Sequence, residues 1–502
     1  MKKLTFKLAK RILAGVLWGL GVLTLLAACG GGGGGGGGAA TAISGGGMTG
    51  SGVLAPSAML ANLCASPRAN TLDSQGTLDN EKSYLRSFVD ETYLWYGDVP
   101  SNLVAANYAT PQAYFDVLKT PARTASGKLV DQFHWSQTTA SWNAASSGIA
   151  EDYGIQWVTQ SISTPRNWIV AEVVPGSPAD LANVRRGDRL TSVDGVDFVN
   201  NNTSAALAIY EEALFPTLLL PHTLGLNGNA EFTMTPAKYD VVTVQNVKTI
   251  PTASGTVGYF TFDSHIAKSE AELVAAINQL KAANVTDLVI DMRYNGGGLL
   301  YIASELAYMV SKPAMTVGKT FEQLTYNDKL TSKNRAYPFY SFGASNSPLP
   351  HLDLSHVTIL VTRSTASASE SVINSLRGVD VAVDLIGATT RGKPYGFVPQ
   401  DNCGYTYFAI QFKGVNQKGF GDYADGFAPT CPAADDFAHA RGDTAETLLS
   451  TALSYRQTGV CPASAVATSP AAPLLSGNAP QSFELVRPLT QEMRILTERP
   501  SL

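Results

Sequence analysis

The sequence is short of what nucleic-acid and metal sites are made from. Only 15% of its 502 residues are charged, and the formal net charge is -5. No basic stripe and no interleaving of basic with aromatic residues occurs, which excludes a nucleic-acid-binding face. The chain has 5 cysteines and 6 histidines. The cysteines stand too far apart for a structural zinc site. A glycine-rich turn does occur near residue 296, but no Lys-Ser/Thr pair follows it, which excludes a P-loop. No metal, nucleotide or other cofactor is implied. What is present is an ordinary globular composition, 45% hydrophobic. The length accommodates two or three domains with cores of their own.

Glycine and charge are also unevenly spread. Lys2, Lys3, Lys7, Lys10 and Arg11 form a basic start, an apolar stretch runs from Ile12 to Ala28, and Leu26-Ala27-Ala28-Cys29 closes it. That order describes a secretory signal rather than a spanning helix. It resembles the lipobox of bacterial lipoproteins, which implies lipidation of Cys29, a lipid anchor to a membrane and a place in the cell envelope, periplasm-facing or at the surface. Gly30 stands where inner-membrane retention commonly uses Asp, which points to the outer membrane. A plain signal peptide and an uncleaved anchor helix are the rival readings. Residues 30–38 are unbroken glycine, and low complexity continues to about Ser57. Such a stretch buries no core and serves as a tether. Cys64, Cys403, Cys431 and Cys461 remain. Four cysteines in an exported chain fit two disulfides in any of three pairings, with free thiols as the alternative.

Beyond the tether, Glu81, Leu85, Phe88, Val89 and Tyr93 recur at helical spacing with Asp79 placed to cap them, so a small helical domain is expected. Residues 168–174 form a run of strand type. A Pro175–Ala179 turn, a short helix and a second strand ending at Val193-Asp194-Gly195 follow. This order resembles a PDZ domain. The resemblance implies that a peptide adds as a strand at a sheet edge while the loop Tyr153-Gly154-Ile155-Gln156 holds its terminal carboxylate. The alternative is a module that only packs against its neighbour. From about Val247, strands (Val257–Phe262, Asp287–Asp291, Val357–Val361, Val383–Gly387) alternate with helical segments, one opened by Ser269 and Glu272 as a capping box. Alternation of this kind predicts an α/β body. The Ala-, Ser- and Pro-rich end after Cys461 reads as a loosely ordered tail.

Two motifs carry chemistry: Asp291-Met-Arg-Tyr-Asn-Gly-Gly-Gly298 and Ser364-Thr-Ala-Ser-Ala-Ser-Glu370. Each follows a buried strand and opens a helix, where an α/β sheet exposes reactive groups. Ser367 at such a turn presents its hydroxyl beside free helix N–H groups. A hydroxyl is a weak nucleophile and needs a base. No histidine lies in a comparable turn, but Lys393 does, in Thr390-Arg391-Gly392-Lys393-Pro394. A lysine serves as base once burial brings its pKa toward neutrality. N–H groups of Ala368 and of Gly296 or Gly297 would cradle an oxyanion. Each such donor is worth about 2.7–4 kcal/mol of barrier. His265, near a strand end, is the alternative base.

These motifs, the later lysine and the preceding PDZ-like region are together similar to the C-terminal-processing (tail-specific) serine peptidases of family S41. The resemblance covers about 145–430. It implies a ClpP/crotonase-like α/β protease core with a PDZ-like β-rich domain, beside the small N-terminal helical domain. It also implies Ser367 as nucleophile, Lys393 as base and Glu370 in support, with protein or peptide substrates taken by their C-terminal segments. Asp380 is out of register with the family's aspartate and receives no role. The expected divisions are 1–28 signal, 29–58 tether, 59–140 helical domain, 141–238 PDZ-like domain, 239–460 protease domain and 461–502 tail. Two other functions use the same residues: a non-catalytic peptide-binding surface lipoprotein, and an esterase or amidase for small substrates.

Overall fold

The computed structural model describes residues 54–463 except 160, 162 and 217, together with 483–486 and 493–495. Cys29 and the glycine run lie outside the described residues.

The first long helix, α1, spans Leu78–Thr92 and buries Tyr84, Leu85, Phe88 and Val89. Its cap is Thr77, reciprocated by Asn80, two residues before the expected Asp79, which sits in the first turn instead. The threonine hydroxyl meets the Asn80 N–H, and the Asn80 side chain returns the bond to the Thr77 N–H. Around α1 the N-terminal region packs onto Phe397, Tyr407, Phe408 and Ile410. Its strand Trp135–Thr138 pairs with Tyr405–Phe408, and Cys64 is bonded to Cys403. The helical region is thus built into the α/β body rather than set beside it.

The β-rich module contains β1 (Ile155–Thr159), β2 (Trp168–Val173) and helix α2 (Ser204–Leu214). Trp157, Trp168, Val170, Phe198, Tyr210 and Leu224 fill its core. The central sheet follows, ordered Val244–Thr252, β3 (Gly255–Phe262), β4 (Asp287–Asp291), β6 (His356–Val361), β7 (Ala382–Gly387) and Cys431–Pro432. All neighbours after the first pair are parallel. Side chains alternate between its faces as a strand period of two requires. Phe260, Phe262, Leu288, Ile290, Ile359 and Leu385 meet α3 (Ser269–Ala282), α4 (Leu300–Val310) and α5 (Ala368–Gly378) on one face. Tyr259, Val289, Leu360 and Ile386 meet Leu448, Leu449 and Ala452 on the other. Cover on both faces explains why these strands read as unbroken apolar runs. The expected Ser269–Glu272 capping box does not form. The Ser269 hydroxyl donates to Ser264 O and accepts from Ile266 N, while the Glu272 carboxylate accepts from Thr243 and Val244.

A second sheet places β5 (Gly297–Leu299) and β8 (Tyr395–Phe397) on either side of a strand from the far end of the chain, and continues through β9 (Ile410–Val415). That intervening strand, β11 (Met493–Ile495), follows β10 (Glu484–Val486), which adds to the free edge of β1. The tail, expected to be loosely ordered, therefore supplies two strands. Pairing at a sheet edge is made by main-chain groups and needs no side-chain signature. The other two cysteines, Cys431 and Cys461, are bonded to each other.

Candidate active site

β4 and β6 are parallel neighbours and deliver the two motif turns side by side at their carboxyl ends. The turns are laced together. Ala366 N donates to Asn295 O at 3.0 Å, Ser369 Oγ to the same oxygen at 3.1 Å and Thr365 Oγ1 to Met292 O at 2.9 Å. Thr362 Oγ1 also donates to Arg293 O. Held this way, Ser367 takes φ 63° and ψ -114° immediately before α5. A non-glycine residue there stores on the order of 1–3 kcal/mol of strain. The Ser367 hydroxyl is buried and has no hydrogen-bond partner among the described residues.

Glu370, one turn into α5, reaches back across this turn. Its Oε2 accepts from Ser367 N and from Lys393 N, each at 2.9 Å. The two amide nitrogens therefore stand no further apart than twice that distance. Its Oε1 accepts from Gly392 N at 2.7 Å and Thr390 Oγ1 at 2.6 Å. Burial raises the Glu370 pKa above its ordinary value, and the four donors pull against that rise. One carboxylate thus joins the serine turn to the lysine loop. The loop can come this close because Gly392 has φ 87°, and a Cβ there would lie 2.3 Å from Ala424 O.

Lys393 has no exposed surface. Its Nζ lies 4.6 Å from the centre of the Phe133 ring and 4.2 Å from that of Phe397. Dry surroundings disfavour an ammonium against the free amine, while the ring faces favour the cation. Phe133 comes from the N-terminal region, a contribution to the site that no sequence motif announced.

The glycine turn divides its N–H groups. Gly297 N, expected in an oxyanion cradle, donates to Asn295 Oδ1 at 2.9 Å. Gly296 N and Ala368 N have no such acceptor among the described residues. Gly298 has φ 138° and passes so close to the next segment that a Cβ would lie 2.3 Å from His265 O. His265 itself is buried, with Nδ1 3.1 Å from Asn295 Oδ1 and Nε2 unpartnered. Burial lowers its pKa to about 3, which leaves a neutral imidazole at neutral pH.

The expected carboxylate-binding loop is also occupied. Gly154 N donates to Asp152 Oδ1 at 2.6 Å, so a carboxylate of the chain already takes the N–H meant for a ligand. Tyr153 is buried, its carbonyl accepting from Ala179 N. Ile155 and Gln156 enter β1 opposite Val173 and Glu172. Asp380 lies away from the site on the surface, paired with Lys418.

Beneath the turns runs a buried ionic network that no local pattern revealed. Arg293 reaches Asp291 at 2.8 Å, Asp435 at 2.7 Å and Glu446 at 2.8 Å. Arg186 of the β-rich module also meets Asp435 at 2.7 Å, and Arg441 reaches Glu172 of that module at 3.0 Å and Asp263 at 2.8 Å. Burial pushes the Asp291 carboxyl up, and Arg293 with Arg441 outweighs it, holding its pKa below the usual range.

Known proteins bear on this arrangement. Residues 256–400 match the model of peptidase family S41, residues 169–209 that of the PDZ domain, and residues 80–136 that of the peptidase S41 N-terminal domain. The carboxyl-terminal-processing protease of Picosynechococcus sp. is 29% identical over 231 residues, 45% of this chain and 51% of that protein. The carboxy-terminal processing protease CtpA of Bacillus subtilis is 24% identical over 225 residues, 45% of this chain and 44% of its own. The chain thus spans about half the length of the curated relatives it matches. A crystal structure described as a candidate S41 protease from Bacteroides fragilis superposes with a TM-score of 0.59 at 25% identity, covering 75% of this chain and 97% of that one. Residues 256–400 thus match peptidase family S41, preceded by matches to the S41 N-terminal domain and to a PDZ domain, and the chain is similar to carboxyl-terminal-processing proteases over about half its length.

Proposed function

We propose that the chain is a serine endopeptidase that attacks a peptide bond through Ser367 with Lys393 as general base. The observation that carries this reading is the Glu370 oxygen shared by the Ser367 and Lys393 amides. It brings a strained, unpartnered hydroxyl and a desolvated amine onto one rigid frame. Lys393 takes the serine proton as Oγ bonds to the carbonyl carbon, then returns it to the leaving amine. Ala368 N and Gly296 N, both without an acceptor among the described residues, receive the charge that develops on the carbonyl oxygen. Water then attacks the acyl-enzyme with the same base. His265 is a poorer base, because burial keeps its pKa far below neutrality and its Nδ1 faces an amide.

Substrates are unstructured or C-terminal segments of proteins, paired as strands at the edge of the PDZ domain where β10 now lies. With Gly154 N already engaged, strand pairing rather than carboxylate capture supplies the recognition. We place the protein in the cell envelope, exported by residues 1–28, lipid-anchored at Cys29 and facing the periplasm or the surface, with the outer membrane favoured by Gly30. Two paired disulfides support an oxidising compartment.

The test is cleavage of unfolded casein by the wild type and by Ser367→Ala and Lys393→Ala, with a serine-directed fluorophosphonate to label the nucleophile. The wild type cleaves and is labelled on Ser367, and neither variant turns over. Casein cleavage by Ser367→Ala at the wild-type rate removes the mechanism. Palmitate incorporation that is lost in Cys29→Ala tests the anchor.

A further inference from the structure

The last described segments of the chain sit in both places where a substrate would add. β10 takes the free edge of β1 in antiparallel register, Glu484 opposite Thr159 and Val486 opposite Trp157. It therefore runs toward the Tyr153–Gln156 loop, the direction in which a C-terminal peptide enters such an edge. Val486 packs on the core of the PDZ domain, and Leu485 joins Val158, Ile169, Ala171 and Tyr294. Leu485 N donates to Ser364 Oγ at 3.2 Å, three residues before the nucleophile. β11 then lies in the groove itself. Met493 is opposite Gly297 and Ile495 opposite Leu299 on one side, with Phe397 opposite Ile495 on the other. The groove is thus filled between the glycine turn and the strand that leaves Lys393. Ser367 and Lys393 have no exposed surface in this state.

We infer that Phe483–Val486 and Met493–Ile495 form an internal competitor, which holds the peptide edge of the PDZ domain and the catalytic groove at once until a substrate displaces it. Two features favour this over a purely structural strand. Both segments fill open edges by main-chain pairing, the mode a peptide substrate would use. They also belong to one stretch of sequence, only six residues apart, so a ligand that wins the PDZ edge loosens the tail in the groove as well. A tethered strand competes at a millimolar effective concentration, which demands that a substrate engage both sites. The inference rests on the peptidase reading only for what the groove does. The competition itself is a statement about binding.

Two measurements separate these. In a Ser367→Ala background, which removes turnover, a fluorescent peptide copying residues 483–495 is titrated by anisotropy into the full chain and into the full chain carrying Leu485→Asp and Val486→Asp. The double variant binds with a Kd lower by roughly tenfold or more. Arg494→Pro, which deletes one ladder N–H without touching β10, gives a change in the same direction. It also serves if near-ultraviolet dichroism shows that the double variant is misfolded. With Ser367 intact, the same tail variants raise kcat/KM on unfolded casein, chiefly through KM. Equal peptide affinity in parent and tail variants overturns the internal competitor whatever the proteolysis result. A Kd that splits as expected while no form cleaves casein sinks the peptidase reading and leaves the competitor standing.

Discussion

At the amino end of the central strands, His356 lies 3.0 Å from Asp287 and 2.9 Å from Asp384. The Asp287 hydrogen bond and then that of Asp384 raise its pKa to about 9. At the carboxyl end of the same sheet, His265 is buried against an amide and falls to about 3. One end matches charge with charge on strand residues that pair across the sheet. The other leaves Ser367 Oγ and His265 Nε2 without partners and holds a serine in a strained conformation. The difference separates stability from readiness. Unspent polar groups cost the fold something and are kept where a reacting peptide would spend them.

The sharpest way to break this contrast is Ser367→Ala. Peptide hydrolysis falls by roughly 10⁴-fold or more while the thermal midpoint stays within a degree or two, read by steady-state kinetics beside calorimetry. A marked loss of stability would mean that the hydroxyl was not unspent. Next in size is Arg293→Met, which removes the cation that Asp291, Asp435 and Glu446 share in a dry site and leaves Asp435 with Arg186 and Asp291 with Arg441. It should destabilise by about 3–5 kcal/mol in denaturant titration, since matched charge exists at the carboxyl end too, one layer below the turns. Glu370→Gln comes third. The amide can accept on one atom only and turns a donor toward an N–H, at about 1–3 kcal/mol. Because the two reacting groups then lose their common frame, kcat falls about 10–100-fold with KM nearly unchanged. The smallest effect belongs to His356→Gln. In the wild type the His356 contribution is complete below its unfolded pKa near 6.5 and is lost as pH rises through about 9. For a partly exposed site that is no more than about 1 kcal/mol. The variant should flatten the alkaline side of a stability–pH curve and leave turnover alone.

Much of this was legible in sequence where local pattern and tertiary structure agree. Asp287–Asp291 and Val357–Val361 read as buried strands because both faces of the sheet are covered. Ser367, Lys393 and Glu370 emerged from their joint spacing, and they meet at one carboxylate. What stayed hidden depends on chain-distant partners. Arg293 looked like a turn residue, and nothing local names Asp435 or Glu446 as its partners. Nothing in the sequence marked Phe133 as a wall for Lys393. Gly297 was a reasonable oxyanion donor until Asn295 Oδ1 was seen to claim it. The tail was the largest miss, because low-complexity composition says nothing about strands that borrow their partners from edges elsewhere.

The Cys64–Cys403 bond spans 339 positions of sequence. Synthesis runs from the amino terminus, so Cys64 exists long before its mate. The Phe133 wall and the Phe397 wall of the lysine pocket are made almost as far apart in time. A chain interrupted between residues 367 and 397 has its serine but neither the clasp nor the finished pocket. The clasp and the pocket around Lys393 are therefore both completed late in synthesis.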